Sequence, residues 1–307
     1  MDKKITLRML EAFRAVMQAK TITAAANVLN VSQPVVSRLI KDLEEKLGFL
    51  LFIRESGRLK PTREAMALFN EVRRSLEGFD HITRRAEMLR DGHQGYLQVV
   101  AAPAITLSLL PKVVTQFSQR FPRAHLSVQM HGSDHALDMV LNGLCDIALV
   151  MLSLHETGKY GQRISSGRMV CAVPIGHQLT TKKVVTPEDL YDEDFISHPP
   201  VLDTRLHIDQ VFAARGIKRR MKLETQISHC LINFVAAGAG IALVDPLTAS
   251  LHKESSVVFI PFDPIVINHY SVVTSLERTP SVLQKEFIQH LKKALRDSIA
   301  PEYRIIV

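Results

Sequence analysis

Two helical patterns abut in the stretch Thr23-Ala-Ala-Ala-Asn-Val-Leu-Asn-Val-Ser-Gln-Pro-Val-Val-Ser-Arg-Leu-Ile-Lys-Asp-Leu-Glu-Glu-Lys-Leu-Gly48. The first pattern carries three consecutive alanines, which are small enough for a second helix to cross closely. Ser32 is placed to N-cap the second helix, and Pro34 is tolerated in its first turn because the missing N–H has no intrahelical partner there. Apolar side chains then repeat at i, i+3, i+4 and i+7 and predict a buried stripe of Val36, Leu39, Ile40 and Leu43.

The opposite face of the second pattern is polar and basic, and consists of Gln33, Pro34, Ser37, Arg38 and Lys41. It carries no carboxylate before Asp42, so it can donate hydrogen bonds to base edges and phosphates. We expect Gln33, Pro34 and Ser37 to make base or methyl contacts, and Ser32 at the start of the helix to belong to the same DNA-binding set. Arg38 and Lys41 are expected to contact phosphates. Periodicity alone is equally compatible with an ordinary helical hairpin, and the placement of charge decides between the two.

Nearly all the net charge of the 307-residue chain, +7, lies in its first 90 residues. That segment holds 6 Lys and 11 Arg against 3 Asp and 8 Glu, whereas the remaining 217 residues carry 21 basic and 20 acidic groups. A basic segment joined to an almost neutral body indicates a domain that binds a polyanion. The pattern therefore favours a DNA-reading helix-turn-helix, and the rest of the chain must have another task.

The segments on either side complete a small domain. An amphipathic first helix closes a three-helix core through Leu7, Leu10, Phe13 and Met17. After the helix pair, residues 50–60 form two short strands around a polar turn with Gly57, and they offer Arg54, Arg58 and Lys60. A basic hairpin beside a recognition helix is a wing that reaches phosphates or the minor groove.

A long uninterrupted helix is predicted for the residues that follow the wing. Between residues 62 and 90 there is no proline, and apolar or small side chains alternate spacings of four and three at Ala65, Phe69, Val72, Leu76, Phe79, Thr83 and Ala86. Such a helix spans on the order of 40 Å. We expect this seam to pair with a second copy, which would hold two DNA-binding domains at half-sites about 34 Å apart. The alternative is that the seam packs on its own chain.

Beyond residue 95 short apolar runs alternate with helical patterns, which predicts an α/β body with largely parallel sheets. The predicted strands are residues 96–101, 126–130, 146–150, 169–173, 195–197, 222–225, 241–244, 257–261 and 267–274. Helical patterns include residues 137–143, 208–215 and 231–237, and a closing helix at 281–300 returns to the first part of the body. This number of strands fits two small doubly wound subdomains better than one.

No membrane span, secretory leader, cofactor or catalytic centre is predicted. The chain has no apolar run of about 18 residues, and an amphipathic helix follows the N-terminus, so we expect a cytoplasmic protein and no membrane partner. Its 3 cysteines include no Cys-x-x-Cys pair, and His131 and His135 lie in a loop, so no metal site is expected. Nucleophile elbows, phosphate loops and His-Glu-x-x-His are absent from the sequence, and we predict that the protein is not an enzyme.

The whole chain resembles the bacterial LysR-type transcriptional regulators. In the N-terminal region the resemblance is carried by Phe13-Arg-Ala-Val, Thr23-Ala-Ala-Ala, Ser32-Gln-Pro-Val-Val-Ser-Arg, Leu43-Glu-Glu-Lys-Leu-Gly and Leu51-Phe-Ile-Arg. In the body it is carried by Leu110-Pro111, Phe117-Ser-Gln-Arg-Phe-Pro122, Gly143-Leu-Cys-Asp-Ile-Ala-Leu149, Pro174-Ile-Gly-His177 and Ala236-Ala-Gly-Ala-Gly-Ile-Ala242. Together these motifs are specific in order and spacing.

The resemblance implies a winged helix-turn-helix at 1–61, a dimerisation helix at 62–91, and two Rossmann-like subdomains of periplasmic-binding-protein type. We place the first subdomain at 92–165 and 266–307 and the second at 166–265. It also implies a homotetramer of dimers that binds promoter DNA and a small-molecule effector, and RNA polymerase is a further expected partner.

By the resemblance, the effector lies between the subdomains, where strand ends and helix starts offer free N–H groups to a carboxylate. Carried over by position, the expected effector-binding residues are Ala104, Ile105, Thr106, Ser153, Ser197, His198, Ser228 and Asp245.

Asp245 differs in chemistry from the other expected effector-binding residues. A carboxylate that follows a buried apolar strand and faces a cleft suits an amine or guanidinium, which predicts an amino-acid-like or opine-like effector. The alternative is that Asp245 only caps the helix after Pro246. For the chain as a whole, the alternative function is a small-molecule-binding module whose basic N-terminal domain serves partner assembly.

Overall fold

The computed structural model describes residues 4–55, 58–90, 95–152, 154–275 and 279–305. The chain divides into two compact units, Met1–Gly92 and His93–Val307, which we call the N-terminal and C-terminal units. Each unit has its own hydrophobic core. Among the described residues, no helix is long and apolar enough to cross a membrane.

The N-terminal unit is a three-helix bundle with a two-stranded wing and a long final helix. Its elements are α1 (Leu7–Ala19), α2 (Ile22–Val28), α3 (Gln33–Leu47), β1 (Phe52–Glu55), β2 (Arg58–Pro61) and α4 (Arg63–Arg90). The strands β1 and β2 pair antiparallel, with Phe52 opposite Pro61. Glu44 at the end of α3 accepts hydrogen bonds from the backbone N–H groups of Leu51 (2.7 Å) and Phe52 (3.1 Å), which ties the wing to the recognition helix.

The predicted stripe on α3 is buried, with Val36, Ile40 and Leu43 in the core and Leu39 packed against it. Ser32 occupies the N-cap position of α3, but its side chain makes no capping hydrogen bond, in contrast to the prediction. The side chains of Thr6 and Thr21 do cap α1 and α2. The Ser32 hydroxyl is exposed, so it is available to an external acceptor or donor.

The long helix α4 is divided between two environments. Ala65, Val72 and Leu76 are buried in the core of the N-terminal unit, so this part of the predicted seam packs on its own chain. Phe79 and Ile82 are 50% and 63% exposed. The second half of the helix therefore offers an apolar surface to a partner, and Met66 in the first half is also exposed, at 56%.

The C-terminal unit contains two five-stranded sheets. The first has the order β4-β3-β5-β12-β6. Its strands are β3 (Tyr96–Ala101), β4 (His125–Met130), β5 (Ile147–Val150), β6 (Gly161–Arg168) and β12 (Ile267–Val273), and its helices are α5 (Pro103–Ser108), α6 (Leu110–Arg120), α7 (Ser133–Leu141), α8 (Leu154–Thr157) and α12 (Val282–Ser298). Phe117 of α6 and Phe287 of α12 meet edge to face at 5.3 Å between ring centroids, within the core of this subdomain.

The second sheet has the order β11-β7-β10-β8-β9. Its strands are β7 (Val170–Pro174), β8 (Asp194–Ser197), β9 (Arg220–Glu224), β10 (Ile241–Val244) and β11 (Val257–Pro261), and its helices are α9 (Asp203–Ala213), α10 (Ser228–Ala236) and α11 (Pro246–Leu251). Short 3₁₀ helices lie at Gly158–Tyr160, Gln178–Thr181, Pro187–Leu190 and Pro301–Tyr303.

Helix α11 and the segment with Tyr303 each pack against the first subdomain although they follow or contact the second. Helix α11 follows a strand of the second sheet, yet its Leu247 is fully buried in the core of the first subdomain. Tyr303 packs against both the core of the first subdomain and one core of the second. The strand end that carries Asp245 is therefore held by both subdomains.

The sheets are less parallel than the strand-helix alternation predicts. Within each sheet two strand pairs are parallel and two are antiparallel, because β6 and β12 in one sheet, and β7 and β11 in the other, run against their neighbours. These four strands lie where the chain passes between the subdomains. Strand β6 was not predicted from the sequence, and the predicted boundary at residue 165 falls within it.

Candidate functional site

One face of α3 presents the side chains expected at DNA. Gln33, Pro34, Arg38 and Lys41 are exposed, and Ser37 is half-buried beside them. The Arg38 and Lys41 side chains are 84% and 77% exposed, and their i, i+4 contacts to Asp42 and Glu45 are long, at 3.9 and 3.8 Å. Such exposed pairs contribute little stability, so both cations can exchange their partners for phosphates.

The wing, which follows α3 in sequence, carries further basic residues. Arg54 lies on β1 and Arg58 on β2, but their side chains lie outside the described part of the structure. Lys60 on β2 donates to Glu55 at 2.5 Å. The turn with Gly57 lies outside the described residues as well.

A cleft of about 520 Å³ separates the two subdomains of the C-terminal unit. It is bounded by the loops and helix starts that follow the strands of both sheets, as expected for ligand sites in α/β folds. The residues around it include Ala102, Ala104, His131, Ser133, Asp134, His135, Met151, His198, Asp203, Gln226, Ser228, Asp245 and Asn268.

Four of the expected effector-binding residues line this cleft: Ala104, His198, Ser228 and Asp245. Ile105 instead packs in the core of the first subdomain. The Thr106 hydroxyl donates to the carbonyls of Ala101 and Ala102, both at 3.1 Å, as helix side chains commonly do. Ser197 is buried, with 1% of its surface exposed, and Ser153 lies outside the described residues.

Asp245 caps α11 and keeps one oxygen unused. Its Oδ1 accepts hydrogen bonds from the Thr248 N–H (2.9 Å) and the Tyr270 hydroxyl (3.2 Å). Its Oδ2 is buried and has no hydrogen-bond partner among the described residues. The two interpretations of Asp245 are thus compatible, because capping uses only one of the two carboxylate oxygens.

Arg205 fixes the backbone of His198 in the wall of the cleft. Arg205 on α9 donates to the His198 carbonyl and to Glu224, both at 2.7 Å, and also to Asp209 at 2.8 Å. Burial lowers the pKa of the His198 imidazole. This outweighs Asp245 and the hydrogen bonds of the ring to the backbone of Thr225 and Gln226, which raise the pKa. The His198 Nδ1 has no partner among the described residues.

Sequence reasoning missed Asn268 on β12. It is 95% buried, it lines the cleft, and its Oδ1 has no partner among the described residues. Sequence reasoning also missed a contact between the two subdomains, in which the hydroxyl of Ser108 on α5 meets Nε2 of His229 on α10 at 3.2 Å. No sequence signal marks either residue, because each lies inside an ordinary strand or helix pattern.

We expect the C-terminal unit to lose stability as the pH falls below about 6.5. Burial is also the main cause that lowers the pKa of His229, so both rings bind protons less readily when folded than when unfolded. As the pH falls, the unfolded chain binds protons at these rings before the folded chain does. The free energy of unfolding therefore decreases by at most about 1.4 kcal/mol per pH unit for each ring. Other charged or titratable groups that contact these rings or line the cleft are Arg205, Asp245, His252, His131, Asp134, His135 and Asp203.

Calorimetry of the full chain between pH 7.5 and 5.5 measures this effect. His198→Gln, which keeps hydrogen-bonding capacity without a titrating ring, should flatten the pH dependence. Replacing the exposed His207 in the same way should leave it unchanged. An identical slope in wild type and His198→Gln would contradict the role given to His198.

Both units match family models of known domains. Residues 7–66 match the bacterial regulatory helix-turn-helix protein, lysR family. Residues 90–296 match the LysR substrate binding domain. These two matches cover almost the whole chain.

Similar proteins of known identity extend the match to full length. The chain is 36% identical over 292 residues to the regulatory protein NocR of Agrobacterium fabrum, which covers 95% of this chain and 97% of that protein. It is 33% identical to the octopine catabolism/uptake operon regulatory protein OccR of Rhizobium meliloti, covering 92% of this chain and 94% of that protein. Full-length CbnR in complex with its target DNA has a TM-score of 0.70 at 20% identity, covering 94% and 99% of the two chains, so the fold is shared.

Proposed function

Because the chain belongs to the LysR family of transcriptional regulators, we propose that an effector in the described cleft controls contacts that α3 and the wing make with promoter DNA. The protein is a DNA-binding regulator with a helix-turn-helix domain and an effector-binding domain. Regulators of this family bind promoter DNA and small-molecule effectors and form oligomers. The observation that carries the DNA-binding assignment is the exposed, basic face of α3 in a domain that matches this family.

In the proposed complex, Ser32, Gln33, Pro34 and Ser37 lie at base edges or thymine methyl groups, because they occupy the first turns of the recognition helix. Arg38 and Lys41, one or more turns farther along, contact phosphates together with Arg54 and Arg58 of the wing. Phosphate contacts position the domain on the duplex, and base contacts select the sequence.

The proposed effector site is the cleft between the subdomains, with Ala104, His198, Ser228 and Asp245 at its surface. Ser197, Ile105 and Thr106 contribute at most through backbone groups or the packing behind it, and Ser153 remains a proposed effector-binding residue. An amino-acid-like or opine-like effector is supported by the carboxylate of Asp245 and by similarity to a regulator named for octopine catabolism and uptake.

The proposed assembly is a homotetramer of dimers. Its dimer contact uses the second half of α4, where Phe79 and Ile82 are exposed. Dimerisation holds two recognition helices for successive half-sites. We further propose that the protein acts in the cytoplasm, contacts RNA polymerase, and catalyses no reaction.

The DNA-binding proposal is tested by Arg38→Ala. Loss of one phosphate contact should weaken binding to all sequences and reduce the slope of log K against log salt by about 0.9. Fluorescence anisotropy on promoter and unrelated duplexes between 50 and 200 mM salt, roughly the range over which such contacts dominate, measures both quantities. Lys183→Ala, which removes an exposed cation from the C-terminal unit, is the matched control and should change neither.

A loss confined to one sequence would contradict the phosphate role of Arg38. Unchanged DNA binding by Arg38→Ala would also contradict that role. Absence of specific DNA binding by the wild type would favour the alternative of a small-molecule-binding module whose basic N-terminal domain serves partner assembly. A point variant is sharper here than deletion of residues 1–61, because deletion would expose Ala65, Val72 and Leu76 of α4.

A further inference from the structure

We propose that one end of the cleft is a subsite for the side-chain cation of the effector, an ammonium or guanidinium, formed by three acceptors: Asp245 Oδ2, Asn268 Oδ1 and His198 Nδ1. The proposal rests on the cleft being the effector site and specifies which chemical class of effector it takes. The three atoms are buried, belong to residues that line the same cleft, and have no hydrogen-bond partner among the described residues.

Asp245 supplies the negative charge of this subsite. The residue is 99% buried, and among the described residues its hydrogen-bond partners, Thr248 and Tyr270, both engage Oδ1. A buried carboxylate oxygen without a donor is costly, and a cationic ligand that donates to it removes that cost. Tyr270 and the capped α11 fix the carboxylate plane, so Oδ2 is held in place before a ligand arrives.

Asn268 supplies a second acceptor from the other subdomain. It lies two residues before Tyr270 on β12, and alternate residues of a strand point to the same face. Tyr270 reaches Asp245 from this face, so the side chain of Asn268 starts from the same side of the strand. Its unused atom is the amide oxygen, which accepts hydrogen bonds and cannot donate them.

His198 completes the set as a neutral ring. Its pKa is lowered mainly by burial, which favours the neutral ring, and Nδ1 has no partner among the described residues, so Nδ1 accepts a hydrogen bond when the proton is on Nε2. Arg205, the cation behind His198, is engaged by Asp209 and Glu224. Its charge is therefore compensated locally and does not oppose a cationic ligand in the cleft.

The cleft can also bind an anionic group of the effector, because several helices start at its surface. Helices α7, α9 and α10 each begin there without a side-chain capping hydrogen bond, so their first N–H groups are available to a carboxylate. A ligand with a carboxylate at one end and a cationic group at the other satisfies both sets. Basic amino acids and their N-substituted derivatives have this chemistry.

The experiment compares matched probes on the full chain by thermal shift and calorimetric titration. L-arginine is paired with L-citrulline, and L-lysine with L-norleucine, so that each pair differs at the cationic group while the amino acid end is retained. Succinate and 2-oxoglutarate are run as plain dicarboxylates. We expect the cationic member of at least one pair to raise the melting temperature and its neutral partner to bind at least tenfold more weakly.

The variant Asp245→Asn should lower the affinity for the cationic probe at least tenfold while keeping the cap of α11, since Asn caps helices as well as Asp. Asn268→Leu should also weaken it. Asp192→Asn, the same change at an exposed carboxylate of the C-terminal unit that does not line the cleft, is the control and should leave affinity unchanged.

Equal binding of the charged and neutral members, or full binding by Asp245→Asn, would overturn the subsite. So would the absence of any shift with arginine and lysine. Stabilisation by the dicarboxylates alone would overturn the cationic subsite but keep the cleft as an effector site, and DNA binding is tested independently by Arg38→Ala.

Discussion

Phe13→Ala is expected to unfold the N-terminal unit and to abolish DNA binding while the C-terminal unit stays folded. The Phe13 ring is fully buried and contacts Phe52 of the wing at 5.9 Å and Phe69 of α4 at 6.2 Å between centroids. It therefore joins α1, the wing and the long helix. Truncating such a ring costs about 3–5 kcal/mol, which is comparable with the whole stability of many small domains.

Differential scanning calorimetry should show loss or a strong downward shift of one transition, and fluorescence anisotropy should show no specific binding to promoter DNA. Phe49→Ala is the matched control, because it removes the same side chain from a position that is 38% exposed. It should cost little and leave DNA binding intact. Equal melting behaviour of wild type and Phe13→Ala would contradict the central place given to this ring.

Gly240→Ala is expected to destabilise the C-terminal unit by about 3 kcal/mol and to weaken effector binding. Gly240 has φ +151°, and a Cβ there would lie 2.3 Å from the carbonyl oxygen of Asp194. Because that atom is backbone, β10 must move relative to β8, with which it pairs through Ile241 and Phe195. Asp245 follows the end of β10, so this movement displaces the carboxylate from the cleft.

Gly216→Ala separates the cost of a positive φ from the cost of a Cβ clash with the backbone. Gly216 also has a positive φ, +66°, but a Cβ there meets nothing within 4 Å. It should therefore cost only the backbone strain of about 1 kcal/mol and leave ligand affinity unchanged. Equal losses of melting temperature in the two variants would show that backbone conformation, rather than the contact with Asp194, sets the cost.

Local patterns predicted most of the helices and strands. The stripe of Val36, Ile40 and Leu43 is buried, and the three-helix bundle and wing follow the predicted order. In the body, the central apolar runs became strands that are buried on both faces, as in Ile147–Val150 and Ile241–Val244, whereas the predicted runs at the edges, β4 and β9, became strands that stay partly exposed. Apolar periodicity predicts an element well where one face or both faces of that element are buried.

Strand β6 shows where local patterns fail. Gly161–Arg168 contains a single large apolar residue, Ile164, and lies at the edge of its sheet. Its strand conformation comes from pairing with β12, a segment about a hundred residues away in sequence. The first half of the α4 seam packs on its own chain for a related reason, since nothing in the heptad pattern states that Ala65, Val72 and Leu76 are covered by the same chain.

The sequence by itself determined the family and the recognition helix and made Asp245 a candidate effector-binding residue, because each depends on residue types at short spacing. Only the tertiary structure decided that Asp245 caps a helix with one oxygen and offers the other to the cleft. It also brought Asn268 and His198 to that cleft from two other strands or loops. The physical reason is that hydrogen-bond satisfaction belongs to individual atoms, and only the folded chain determines which buried atoms have partners.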